Sequence, residues 1–250
     1  MEKQITTRYR PVDTITETEH TGMVKEIFAT ITRRYDLLNR LLSLRRDIAW
    51  RRCAARHMRF TRTCRYLDVA TGTADLALEV ARQHPRTTVT ALDFVGEMID
   101  AGVRKIEERN MQSRIAFVRS DALNLPFPND HFDVAGIAFG IRNIPDKTAA
   151  LKEMTRVVIP GGQVLVLEMH FPRQPLFRSF YSIYLTYLMP SLARSFSRNP
   201  AAYLYLADSI MHFPPPPEFS RIMRDSGLTK IQRYSLTLGI TYLHVGIKGV

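Results

Sequence analysis

Leu67-Asp68-Val69-Ala70-Thr71-Gly72-Thr73-Ala74-Asp75 runs from an apolar stretch into small residues and then into the start of a helical pattern. A strand that ends in a small-residue loop and passes straight into a helix is the opening unit of a doubly wound α/β sheet, where ligands bind at the carboxyl ends of the strands. The unit repeats downstream. Short β-branched runs predict strands at 66–70, 89–93, 115–119, 134–139 and 163–168. Between them, Leu76, Ala77, Val80 and Ala81, then Met98, Ile99, Val103 and Ile106, then Leu151, Met154 and Val158 recur at helical spacing and predict three crossover helices. Pro160-Gly161-Gly162 is expected to stop the third helix and turn the chain into the fifth strand. Residues 231–236 and 240–247, broken around Gly239, read as an antiparallel pair closing the sheet. The prediction is an α/β fold with a mostly parallel seven-stranded sheet.

Outward from this unit, residues 23–60 alternate apolar and basic side chains at helical spacing, with Ile27, Ile31, Leu37, Leu38, Leu41, Leu42 and Ile48 on recurring faces. Residues 1–60 are therefore expected to form a helical extension that lids the domain. After Glu168, Pro172, Pro175, Pro190 and Pro200 punctuate an aromatic, basic stretch, so 172–213 reads as a helical insertion. The prolines at 214–217 read as a stiff polyproline II connector before a helix at 218–226. At 250 residues and 45% hydrophobic composition, one domain covers 1–250.

Lys and Arg number 35 against 24 acidic residues, a formal charge of +11, which draws the surface toward nucleic acid or anionic lipid. Cys53 and Cys64 stand without a second pair or a histidine at ligand spacing, so neither a disulfide framework nor a zinc site is expected. The first ten residues have no apolar core of a secretory signal, which points to the cytoplasm. The longest apolar stretch, 181–189, is too short to span a bilayer.

The loop after the first strand selects its ligand by charge. A dinucleotide site uses G-x-G-x-x-G to bring backbone and helix N-terminus against a pyrophosphate, and this loop has one glycine, Gly72. Asp68 at the mouth of the strand repels a diphosphate and pairs, directly or through water, with an ammonium group. Asp93 ends the second strand at the spacing where an acidic residue meets ribose hydroxyls, and Ser120-Asp121-Ala122 ends the third, within reach of an adenine amino group. S-adenosylmethionine carries the ammonium, ribose and adenine, and no phosphate.

Tyr35-Asp36-Leu37-Leu38-Asn39, the loop 67–73, Leu125-Pro126-Phe127-Pro128, the block 138–146 with Phe139-Gly140-Ile141-Arg142-Asn143, and Tyr203-Leu204-Tyr205-Leu206-Ala207-Asp208-Ser209 resemble the menaquinone/ubiquinone C-methyltransferase family over residues 20–249. The resemblance implies a class I, Rossmann-like fold and S-adenosylmethionine as cofactor, with Thr73, Asp93, Asp121 and Ala122 among its contacts. With these, Asp68, Gly72, Phe94 and Ala138 complete the expected cofactor-binding set. The chain departs from the family with Ala74 for glycine, Ala138 where serine also occurs, and Leu44-Arg45-Arg46 where a glycine is common.

Carbon methylation needs an electron-rich ring, so the expected substrate is a polyprenylated quinol, the naphthoquinol (demethylmenaquinol) or alternatively the benzoquinol of the ubiquinone pathway. Arg142 and Asn143 are placed beside the ring by resemblance, Arg142 stabilising an anion or ordering a water because arginine is no base at neutral pH. Tyr35 on the lid is the third catalytic candidate, and His170 after the fifth strand is a further residue within reach. The mix of aromatics with Arg178, Arg194 and Arg198 in 177–198 is expected to dock on anionic lipid at the inner face of the cell membrane. Two rival readings exist. A nucleic-acid methyltransferase suits the charge, but Asn143-Ile144-Pro145-Asp146 lacks an aromatic to stack on a flipped base, so no nucleic-acid partner is expected. An assembly protein that has lost turnover is the second. A homodimer is one arrangement open to such a chain.

Overall fold

A computed structural model describes residues 14–172, 181–184 and 201–249. Seven strands form one sheet in the order β3-β2-β1-β4-β5-β7-β6. They are β1 (Arg65–Val69), β2 (Thr88–Asp93), β3 (Ile115–Arg119), β4 (Phe132–Ala138), β5 (Val158–Met169), β6 (Leu228–Leu236) and β7 (Thr241–Lys248). β1 to β5 pair in parallel, while β7 runs antiparallel to both β5 and β6. The chain builds outward from β1 to β3 in one direction and from β4 onward in the other. The order therefore reverses between β1 and β4, where a crevice must open above the strand ends.

The crossover helices α4 (Asp75–Gln83), α5 (Gly96–Glu107) and α6 (Lys147–Val157) carry the apolar faces read from the sequence. Leu76, Ala77, Val80 and Ala81 of α4, Met98 and Ile106 of α5, and Leu151 and Met154 of α6 are buried. Ahead of the sheet stand α1 (Glu17–Ile31), α2 (Tyr35–Leu42) and α3 (Arg46–His57), and beyond β5 stand α7 (Ala201–Met211) and α8 (Pro216–Asp225). α1 begins at a capping box. Thr16 Oγ accepts from the Glu19 amide and the Glu19 carboxylate accepts from the Thr16 amide at 2.9 Å, which satisfies two amides that the first helical turn leaves free. Its buried face is His20, Val24 and Ile27.

Three expectations need correction. α6 ends at Val157 and β5 starts at Val158, so Pro160-Gly161-Gly162 lies inside the strand and ends no helix. The pairing jumps from Phe132↔Val158 to Val134↔Gln163, so the segment loops out of the ladder as a bulge. A Cβ on Gly162 would sit 2.6 Å from the Asp133 carbonyl oxygen, which is why glycine stands there. The proline run is only partly a connector, because Pro216 and Pro217 form the first turn of α8 where a missing amide costs nothing. Finally, Leu37 and Leu41 of α2 and Leu44 beyond it point to solvent, at 60%, 38% and 81% exposure, while Leu38 is buried. Leu44 and Arg45 both take left-handed backbone at the α2–α3 corner.

Candidate functional site

Two cavities meet at the switch point. The first, about 1020 Å³, is lined by the loops after β1, β2, β3 and β4 and includes Asp68, Gly72, Thr73, Asp93, Phe94, Asp121, Ala122 and Ala138. All eight residues expected to hold the cofactor thus come together from four separate strand ends, as the parallel topology requires. The second, about 890 Å³, lies under the lid between α1, α2, α3 and α7 and is mainly apolar, with Ile27, Leu38, Leu42, Trp50, Leu206 and Ile210. Phe28, Tyr35, Arg51 and Phe139 line both. They form the wall through which a group could pass between the two ligands.

In the first cavity the acidic side chains hold the loops in place. Gly72, at φ +56, donates its amide to Asp93 Oδ2 at 2.8 Å, and Val95 donates to Oδ1 at 3.0 Å. Burial raises the Asp93 pKa against these bonds. Asp68 accepts from Tyr66 Oη at 2.9 Å, Thr71 Oγ at 2.6 Å and the Ala77 amide at 3.1 Å. Its charge lies on the cavity floor with its bonds directed into the protein, and burial raises its pKa to about 6. Gly136 on β4 leaves the room this needs, since a Cβ there would fall 2.5 Å from Tyr66 Oη. Asp121 is exposed and caps its own turn by accepting from the Leu123 amide at 2.9 Å. Ala74 caps α4 in left-handed backbone, a conformation that an L residue rarely adopts.

The lid is tied to this cavity by charge. Thr73 Oγ donates to Asp36 Oδ1 at 2.6 Å, and Lys105 Nζ reaches Asp36 Oδ2 and Asp75 Oδ1, each at 2.5 Å. Arg51 on α3 bonds Asp47 at 2.6 Å, lies 3.7 Å from Asp75 and places its guanidinium 5.2 Å from the centre of the Phe139 ring. Burial opposes ionisation of Asp75, but Arg51 and Lys105 outweigh it and hold that carboxyl below its ordinary value. Neither Asp36 nor Arg51 was singled out from sequence as a site residue. Asp36 lay within the 35–39 block, whereas Arg51 is one of several arginines in its stretch with nothing to distinguish it.

The two catalytic candidates after β4 occupy a short 3-10 turn, Ile141–Asn143. Arg142 is buried, and its Nη1 bonds Glu168 Oε1 at 2.5 Å and the Phe139 carbonyl at 2.8 Å. Its cation is thus already matched by Glu168, itself fully buried at the end of β5. The Nε hydrogen remains without a partner among the described residues, so Arg142 offers a donor rather than a free charge. Asn143 Oδ1 accepts from Tyr205 Oη at 2.9 Å, and Tyr205 Oη lies 3.1 Å from His20 Nε2. Tyr35 spans both cavities, and burial raises its phenol pKa. Glu168, Tyr205 and His20 were missed as site residues. The first two sat at a strand end and in a quoted block, and the capping box before His20 was the only signal for it. His170 is not part of the site. It is buried among Phe213, Phe219, Tyr242 and His244, bonded to the Pro214 carbonyl, and burial drives its pKa down to about 3.

Among the described residues no cluster of His, Cys, Asp or Glu could hold a metal ion, and no helix is long and apolar enough to cross a membrane. Most of the 172–213 insertion, including nearly all of 177–198, lies outside the described residues.

Known proteins resemble this chain in sequence and in fold. The model of the ubiE/COQ5 methyltransferase family matches residues 14–248. The ubiquinone/menaquinone biosynthesis C-methyltransferase UbiE of Geotalea daltonii is 41% identical over 232 residues, covering 92% of this chain and 98% of its own length. The demethylmenaquinone methyltransferase of Deinococcus radiodurans is 41% identical over 225 residues, 90% of this chain and 92% of its own. Among solved structures, Haemonchus contortus phosphoethanolamine N-methyltransferase 2 with S-adenosyl-L-methionine matches with TM-score 0.59 at 14% identity, over 78% of this chain and 51% of that one. A SAM-dependent methyltransferase from Aquifex aeolicus matches with TM-score 0.51 at 16% identity, over 73% and 81%. These likenesses show the class I methyltransferase fold.

Proposed function

The chain belongs to the ubiE/COQ5 methyltransferase family, and we propose that it moves a methyl group from S-adenosylmethionine to a ring carbon of demethylmenaquinol. The observation that carries this reading is the pair of cavities, one edged with carboxylates and one apolar, that share Phe28, Tyr35, Arg51 and Phe139. The first fits the cofactor by its donor set. Asp93 and Asp121 offer acceptors for ribose and adenine, Asp68 puts negative charge beneath an ammonium, and Gly72 with Thr73 lets the β1–α4 loop come close. S-adenosylmethionine supplies an electrophilic methyl on a sulfonium.

What this chain supplies is orientation and charge. The apolar cavity takes the quinol and excludes water, which strengthens each polar interaction inside it. Tyr35, at the shared wall, is placed to hold a ring hydroxyl. Arg142, with its unpaired Nε hydrogen, steadies developing phenolate charge while Glu168 keeps the guanidinium in position. Asn143, which lines the first cavity, orients Tyr205 in the apolar one. A hydroquinone, rather than the oxidised quinone, is the substrate because only the reduced ring is nucleophilic.

A quinol with a prenyl tail sits in a bilayer, and the rim of the apolar cavity suits that surface. Leu37, Leu41, Leu44, Ile183 and Leu204 are exposed near lining residues Leu38, Leu42, Tyr184 and Tyr205, with Arg40, Arg45 and Arg46 beside the first three. We propose that this rim docks on anionic lipid. Radiolabelled methyl should pass from S-adenosylmethionine to reduced short-tail demethylmenaquinone and not to the oxidised form. Transfer to the benzoquinol alone would move the enzyme to the ubiquinone pathway, and transfer to neither would refute the reading. Indifference to anionic vesicles at low salt would refute the docking.

A further inference from the structure

Methyl transfer to a ring carbon must release a proton. As the new C–C bond forms, the sulfonium C–S pair stays on sulfur, and the ring C–H pair then returns to the ring while that proton departs. This inference rests on the reading above, and it concerns where the proton goes. The apolar cavity has few groups that can take it. Arg51 and Arg142 have no acceptor, and the Asp47 carboxylate is held by Arg51 at 2.6 Å and by Ser43 Oγ at 2.7 Å. Tyr205 Oη is different, because it lies 3.1 Å from His20 Nε2.

His20 lines a third cavity, about 680 Å³, which Tyr205 does not line and which shares Arg142 with the quinol cavity. It is lined by Glu17, Lys147, Ser209 and His212 as well as Arg142. Tyr205 and His20 are separated by 185 positions and brought together by the packing of α1 on α7. We propose that Tyr205 and His20 form the exit for the reaction proton. With His20 protonated on Nδ1, the Tyr205 hydroxyl hydrogen has two acceptors, Asn143 Oδ1 at 2.9 Å and His20 Nε2 at 3.1 Å. Swinging from the first to the second aims it outward. Tyr205 Oη takes the proton from the substrate side as its own passes to His20 Nε2, and His20 yields it to water in the third cavity. No charge is stranded on the tyrosine at either end of the step.

The charges facing His20 support the assignment. Burial first and then Lys147 lower its pKa from 6.5, so it is neutral and able to accept at pH 7. From α1 it is faced by Glu17, from the turn before α6 by Arg142, from the start of α6 by Lys147, from α7 by Tyr205, and from the residue after α7 by His212. The Lys147 ammonium opposes protonation at rest and helps it to be brief.

Single-turnover methyl transfer to the short-tail quinol, measured across pH 5.5–9 with the full chain, tests this alongside calorimetric S-adenosylmethionine binding. Tyr205→Phe and His20→Gln should each slow the chemical step, His20→Gln by ~10²-fold as for loss of a general base, with cofactor affinity unchanged. The acid limb of the wild-type rate should vanish in His20→Gln, and imidazole should restore part of the rate in His20→Ala. A wild-type rate and pH profile in His20→Gln, or no rescue of a folded His20→Ala, overturns the exit. Absence of transfer by the wild type itself overturns the methyl-transfer reading, and the exit with it.

Discussion

Replacing Asp36 by Asn should loosen the lid without damaging the sheet. The side chain makes two bonds to the body of the domain, one from Thr73 Oγ at 2.6 Å and one from Lys105 Nζ at 2.5 Å. Asn keeps an oxygen for Thr73 and loses the charge that Lys105 meets. Hydrogen bonds to charged groups contribute ~1.5–3 kcal/mol, and the side chains are 28% and 13% exposed, so solvent trims the pair to ~1–2 kcal/mol. That is a ~5- to 30-fold change in the lid's opening equilibrium. Hydrogen exchange should therefore quicken by this factor in α1 and α2, while β1 and β4 keep their protection. A double-mutant cycle of Asp36→Asn with Lys105→Met should return a coupling of the same size. Additivity within ~0.3 kcal/mol, or unchanged exchange in α2, would refute the latch.

Glu168→Gln leaves Arg142 buried without a counter-charge, and should cost ~3–5 kcal/mol in urea denaturation; adding Arg142→Met should recover much of it, and a failure to recover would show that the pair is not the cause. Asp68 has a pKa of about 6 in the folded chain against an ordinary 3.8, so its stabilisation is full below pH ~4 and is lost as pH rises through ~6. An ammonium above it favours the ionised form. S-adenosylmethionine affinity measured by calorimetry should thus fall by up to ~10-fold per pH unit below ~6, and Asp68→Asn should flatten that slope; an equal slope in the variant would remove Asp68 from the site. His170 is held neutral with its pKa at about 3 against 6.5, so the unfolded chain binds more protons in between. Its contribution is intact above pH ~6.5 and erodes as pH falls toward ~3, by ~2 kcal/mol between pH 7 and 5. His170→Phe should lose that much less stability over the same interval, as read from urea midpoints.

Strand positions and crossover helices follow from patterns spanning a few residues, and these were legible because each pattern states a local preference and a period. The convergence of the residues expected to bind the cofactor was legible for a related reason. Parallel strands with right-handed crossovers put successive carboxyl ends side by side, so Asp68, Asp93 and Asp121 had to converge once the strands were placed. The bulge at Pro160-Gly161-Gly162 escaped, because the same dipeptides serve a helix stop and a strand irregularity, and only pairing with β4 distinguishes the two. The partners of the charged and hydroxyl groups escaped as well. Arg142 with Glu168, Asp36 with Thr73 and Lys105, and His20 with Tyr205 are joined across elements that no local pattern connects. His170 shows the limit from the other side, since a histidine after a sheet strand reads as a site residue until Phe213, Phe219 and Tyr242 are found around it. By itself the sequence determined the fold, the crevice at the strand ends and the family. Which groups remain free to act was decided only in the tertiary structure, because burial and pairing depend on neighbours brought together by packing.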